Sequence, residues 1–139
     1  VAERTGLKVL HIADVTAEAI IQKNKNTVAL LGTNFTMTED FYKKRLNDKY
    51  NIEVMIPEEK ERERIHRVIY DELCCGIVKS QSKAEFITII NNLKDKGAEG
   101  VILGCTEIPM LIEQKDLDIR VFDSMKLHAD AIVKEMLNG

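Results

Sequence analysis

The chain has 139 residues, of which 45% are apolar and 31% charged, and its formal charge is −3. That is enough chain for one globular domain with a real core, and the weakly acidic balance carries no basic footprint for nucleic acid. No apolar run approaches the length of a membrane span, and the opening "VAERTGLKVLHIAD" has no signal-peptide pattern. The chain begins with Val1 rather than Met, which points to a fragment or to a chain whose first part was removed.

In chain order, "DVTAEAIIQKN" reads as a helix with Asp14 as its N-cap. "TVALLGT" (27–33) is a short apolar run closed by Gly32, the pattern of a buried strand. "TMTEDFYKKRLNDKY" follows, with Thr36 and Glu39 spaced for a capping box at a helix start. "IEVMIP" (52–57) is a second strand, ended by Pro57, which is also placed to open the next helix. In "EEKERERIHRVIYDEL", Ile65, Val68, Ile69 and Leu73 form one apolar stripe, and the early charges form a solvated face. Gly76 can end that helix, and Ser82 with Glu85 has the spacing of another capping box. Phe86, Ile89, Ile90 and Leu93 share a helical face that Gly97 closes. "GVILG" (100–104) and "IRVFDS" (119–124) are the third and fourth strands. A last helix aligns Met125, Ala129, Ile132 and Met136.

Strands alternating with amphipathic helices predict an α/β fold with a four-stranded parallel sheet and right-handed crossovers. In such sheets ligands bind beyond the carboxyl ends of the strands. Those ends carry "GTNFT", "GCTE" and "FDS", which the topology should bring to one edge.

Three cysteines are present: the adjacent Cys74 and Cys75, and the single Cys105. An odd count without a secretory pattern argues for a reducing, cytoplasmic setting. Cys74 and Cys75 are too close for a relaxed bridge and read as buried at a helix end. His11, His66 and His128 are scattered, and no Cys/His spacing suggests a metal.

Cys105 stands where an apolar strand gives way to "TEIPML". A helix starting near Thr106, with Pro109 in its first turn, would lower the thiol's pKa. Such a thiolate can abstract a proton or attack a substrate. A small buried hydrophobe fits the same pattern equally well. Thr33, Asn34 and Thr36 offer polar groups suited to a carboxylate or phosphate, or, for Thr36, simply a cap. Lys79, in a break between helices, is either solvated or a partner for an acidic ligand. Glu107 could suit a helix dipole, orient the thiol or line a pocket. Neither a phosphate-binding loop nor a dinucleotide fingerprint is present.

"GVILGCTEIPMLI" resembles the second cysteine motif of the aspartate/glutamate racemase family. "VALLGTNFTMTEDFY" resembles that family's Gly-Thr loop, and "IHRVIYDELCCGIVK" its helix ending in a lysine. The likeness runs from "LHIADVTAEAI" to "VFDSMKLHADAIV", and Gly-Cys-Thr-Glu points to the aspartate racemase branch. What the resemblance implies is racemisation of an acidic amino acid, aspartate or glutamate, with no cofactor and no metal. Two cysteines would flank the α-carbon and exchange the roles of base and acid. It makes Cys105 one of the two. Thr33, Asn34, Thr36, Lys79 and Thr106 become substrate-binding residues, and Glu107 a supporting one.

The family's fold has two similar α/β domains, and the first, with its Cys-Asn-Thr-like motif, has no counterpart here. The resemblance therefore implies a C-terminal half. Residues 1–26 would connect from a missing N-terminal domain, 27–123 would form the α/β domain, and 124–139 would be a terminal helix packing on the missing part. The half alone should be inactive or nearly so, and its exposed apolar surface favours a homodimer. Hydantoin racemases, maleate isomerases and arylmalonate decarboxylases share the architecture. A non-catalytic module that binds a dicarboxylate or amino acid is the alternative of a different class.

Overall fold

The computed structural model describes residues 12–33, 37 and 40–138. Its elements are α1 (Ile12–Gln22), β1 (Thr27–Leu31), α2 (Asp40–Tyr50), β2 (Glu53–Met55), α3 (Glu59–Asp71), α4 (Ser80–Asp95), β3 (Gly100–Leu103), β4 (Arg120–Asp123) and α5 (Ser124–Asn138). The four strands form one all-parallel sheet in the order β2-β1-β3-β4. Parallel strands need helical crossovers, and those helices cover both faces.

Side chains alternate across the sheet. Ala29, Leu31, Val101 and Leu103 pack with Ile65, Val68, Ile69, Phe86 and Ile90 on one face. Val28, Leu30, Ile102 and Phe122 pack with Ala13, Ala17, Ile20 and Leu46 on the other. The apolar stripes of α3 and α4 are thus buried as their spacing predicts. Gly100 is required by close approach: a Cβ there would stand 2.7 Å from the Phe122 ring.

Several helix starts differ from the sequence expectation, some because a distant partner takes the side chain and one because a local box forms a residue later. Asp14 lies within the first turn of α1, and its carboxylate takes two Arg45 N–H bonds at 2.7 Å. The N-cap of α3 is Glu58, boxed with Glu61, so Pro57 stands outside the helix and its carbonyl accepts from Arg62 at 2.7 Å. Lys79 is the N-cap of α4. Ser82 lies three residues inside, where its hydroxyl donates to the Glu72 carboxylate at 2.5 Å, while Glu85 pairs with Arg64. Gly76 closes a 3-10 turn, Leu73–Cys75, rather than α3 itself, and adopts φ +76°. Gly97 follows α4 at φ +118°, as expected of a C-terminal glycine. The predicted Thr36–Glu39 capping box lies outside the described residues.

Candidate active site

The parallel register aligns Leu31, Leu103 and Asp123 across the sheet, so β1, β3 and β4 end at a common edge. One further bond extends the β1–β3 ladder: Gly104 N–H donates to the Leu31 carbonyl at 2.7 Å. Two residues beyond these strand ends, Thr33 and Cys105 stand at this edge. Thr33 is half-buried, and its carbonyl accepts from the Met37 N–H at 3.0 Å.

Cys105 is 9% exposed and packs in the core cluster with Met37, Leu103 and Ile108. Its Sγ donates to Glu107 Oε2 at 2.8 Å, and Thr106 Oγ1 donates to the same oxygen at 2.8 Å. The anticipated α-helix after the thiol does not form. The chain makes only bends and a 3-10 turn, Ile108–Met110, preceded by Glu107 as its cap and carrying Pro109 at its start. So short a turn has no developed dipole.

The thiol's acidity follows. Burial first, then the Glu107 carboxylate, push the Cys105 pKa up to about 11 from an ordinary 9.0. The backbone N–H groups of Glu107 and Ile108 pull the other way and are outweighed. This reverses the depressed pKa expected of a helix-start cysteine. Glu107 moves oppositely: the bonds from Cys105 and then Thr106 hold its carboxyl below the usual range. The resting pair is therefore a neutral thiol donating to a carboxylate.

Lys79 reaches the same edge by a separate route. α4 has 16 residues and returns to the start of β3, so its first residue lies about 24 Å away, toward the strand ends. α3 runs antiparallel to it: Glu58 meets Lys96, Arg64 meets Glu85, and Glu72 meets Ser82. The turn after α3 is therefore at the Cys105 edge, and the Cys74 thiol feels the Glu107 charge. Lys79 is exposed there. The structure thus brings Cys105, Thr106 and Glu107 into one hydrogen-bonded group, sets Thr33 beside it, and places Lys79 on the same edge without a direct contact to the thiol. Asn34 and Thr36 lie outside the described residues.

Cys74 and Cys75 are exposed, contrary to the burial expected of them. They follow α3 on a short 3-10 turn in which Leu73 alone faces the core. At this edge, two buried polar residues escaped sequence reasoning. Glu72 ties the turn to α4, and Ser124 donates to the Leu103 carbonyl at 3.1 Å. A serine at a strand–helix junction is the only local signal for the second. Among the described residues, no group of His, Cys, Asp and Glu could hold a metal ion, and no helix is long and apolar enough to cross a membrane.

Comparison with known proteins gives this geometry a lineage. A candidate Asp/Glu racemase from Yersinia pestis superposes with a TM-score of 0.91 at 41% identity, covering 98% of this chain and 59% of that one. An aspartate racemase homologue from Pyrococcus horikoshii superposes at 0.84 with 40% identity, covering 90% and 54%. An aspartate racemase from Picrophilus torridus superposes at 0.66 with 29% identity, covering 90% and 51%. The chain therefore spans between half and three fifths of the length of these relatives. The model of the Asp/Glu/hydantoin racemase family matches residues 1–132, and the chain belongs to that family.

Proposed function

We propose that the chain supplies the Cys105 side of a cofactor-independent racemase acting on an acidic amino acid, aspartate or glutamate. The observation that carries this is the buried Cys105 thiol donating to Glu107 at 2.8 Å at the sheet edge, in a chain of this family. Inversion at the α-carbon needs a base on one face and an acid on the other. A thiol held neutral starts as the acid: its proton passes to the α-carbanion and leaves a thiolate. For the opposite direction the thiol must first be deprotonated, and Glu107 is the acceptor within reach.

The Thr106 hydroxyl is spent on Glu107, so its backbone N–H addresses the substrate. Lys79 opposes the side-chain carboxylate, and Thr33, Asn34 and Thr36 complete the substrate-binding set. Preorganised donors of this kind stabilise the charge that develops as the α-proton leaves. The second thiol belongs to a segment beyond this chain. Residues 1–26 connect to that segment, 27–123 form the α/β domain, and 124–139 pack on it. The exposed Met125, Ile132, Val133, Met136 and Leu137 on α5 support that packing, or a homodimer through the same face. The setting is the cytoplasm.

A dicarboxylate-binding module is the second reading, favoured by the neutral resting state of the thiol. Deuterium incorporation at the α-carbon of L- and D-aspartate in heavy water separates the two. The full-length protein should exchange both enantiomers and Cys105→Ser should lose exchange of at least one. Exchange of both enantiomers by Cys105→Ser would remove Cys105 from the reaction.

A further inference from the structure

Ser124 has no part in the proton transfer described above, yet it is fully buried at the junction of β4 and α5. Its Oγ donates to the Leu103 carbonyl at 3.1 Å. The N–H of the same peptide unit, at Gly104, donates to the Leu31 carbonyl at 2.7 Å. One peptide plane is therefore held by both of its handles, from β1 on one flank and from Ser124 on the other. Cys105 is the next residue.

The topology places this side-chain donor. Leu103 is in register with Asp123, the last residue of β4. In a parallel ladder of this register the Leu103 carbonyl faces the residue after Asp123, which is Ser124, so the backbone and the hydroxyl of Ser124 meet the same acceptor. A carbonyl oxygen has two lone pairs, and the serine hydroxyl takes one of them. The helix start has its own cap, because the Asp123 carboxylate accepts from the Lys126 N–H at 3.1 Å. The Ser124 hydroxyl is thus free of a capping duty and is directed at the strand that delivers the thiol.

We propose that Ser124 is a positioning residue for Cys105: its hydroxyl fixes the Leu103–Gly104 peptide plane and thereby the approach of Sγ to Glu107. The effect on catalysis rests on Cys105 being the proton-transfer thiol, whereas the effect on the thiol itself does not. Without the hydroxyl the plane loses its one side-chain hold. Sγ then leaves both its burial and its carboxylate, the two causes that raise its pKa.

Ser124→Thr and Ser124→Val share a shape and differ only in the hydroxyl, and Ser124→Ala against the wild type covers the case in which the added methyl unfolds both. In the full-length protein, iodoacetamide alkylation of the Cys105 peptide is followed by mass spectrometry across the thiol pH range, beside α-deuteration of aspartate. In Ser124→Val and Ser124→Ala, Cys105 should be alkylated on the order of tenfold faster at about pH 8, with a lower pH midpoint. Deuteration kcat should fall by a similar factor while KM moves less than about twofold, and Thr should follow the wild type. Equal alkylation with and without the hydroxyl overturns the proposal, whatever deuteration does. Deuteration of both enantiomers by Cys105→Ser removes Cys105 from the reaction instead, and alkylation then decides the role of Ser124 by itself.

Discussion

Two corners of one sheet edge hold all three thiols of the chain, and they are built in opposite ways. Cys105 ends a strand, is buried, and donates to a carboxylate at 2.8 Å. Cys74 and Cys75 end a helix and are exposed, and the Cys75 thiol reaches the Tyr70 carbonyl at 3.9 Å. The contrast teaches that the surroundings, not the sulfur, set what a thiol can do, and on the proposed function they suit Cys105 alone to proton transfer. A thiol that must carry a proton to carbon needs water excluded and an acceptor at hand. The exposed turn offers neither.

The largest expected effect breaks the contrast most directly. Cys105→Ser should lower α-deuteration of aspartate by on the order of 10²–10⁴, while Cys74→Ser changes it by less than about twofold. Equal losses would mean that the two corners share the chemistry. Next in size is native thiol reactivity. An aromatic disulfide reagent at about pH 8 should modify Cys74 and Cys75 ahead of Cys105 by on the order of tenfold to a hundredfold, since only the thiolate attacks. The readout is the modified peptide, and a Cys105 that reacts with the first pair would show that its burial is lost in solution.

A smaller effect sharpens the role of the carboxylate. Glu107→Gln removes the second cause of the raised Cys105 pKa and leaves the first, burial, in place. The alkylation midpoint should therefore fall but stay above the ordinary thiol value. Linkage gives the accompanying sign for stability. A folded pKa near 11 against 9.0 means that the native state holds this proton more tightly. The stabilisation is full below about pH 9 and is lost as pH rises toward about 11. Melting temperatures across that interval should drop more steeply for the wild type than for Cys105→Ala. A parallel pair of curves would show that the thiol proton is not linked to folding.

The fold was legible because its signals are local and repeated. Ile65, Val68 and Ile69 on α3, and Phe86, Ile89, Ile90 and Leu93 on α4, are buried at the spacing their periodicity requires. The apolar row Met125, Ala129, Ile132 and Met136 on α5 is equally periodic, yet exposed. Periodicity reports that a face is apolar, not what covers it. The caps were less legible for a different reason. Asp14, Ser82 and Glu85 have good capping spacing, but Arg45, Glu72 and Arg64 lie 31, 10 and 21 residues away and take the bonds instead. At the site, the strand end and the Cys-Thr-Glu order could be read from the chain. The thiol's acidity could not, because it depends on burial and on a turn too short to act as a helix end.

The smallest expected effects test whether the two corners are independent. In the turn that carries Cys74, Glu72 is 7% exposed, and the Ser82 hydroxyl satisfies one of its oxygens at 2.5 Å. Ser82→Ala leaves that oxygen short of a donor, at a cost of about 1–3 kcal/mol. Gly76→Ala acts through the backbone alone, because nothing lies within 4 Å of the new Cβ while φ is +76°. Holding an L-residue in that left-handed conformation costs about 1 kcal/mol. Both losses should register in urea unfolding midpoints, Ser82→Ala by the larger shift. Neither should move the alkylation rate of Cys105, whose peptide hangs on β1 and Ser124 rather than on α3 or α4. A Ser82→Ala protein that alkylates Cys105 more than about twofold faster would join the corners into one unit, and the exposed thiols would then sit on the element that tunes the buried one.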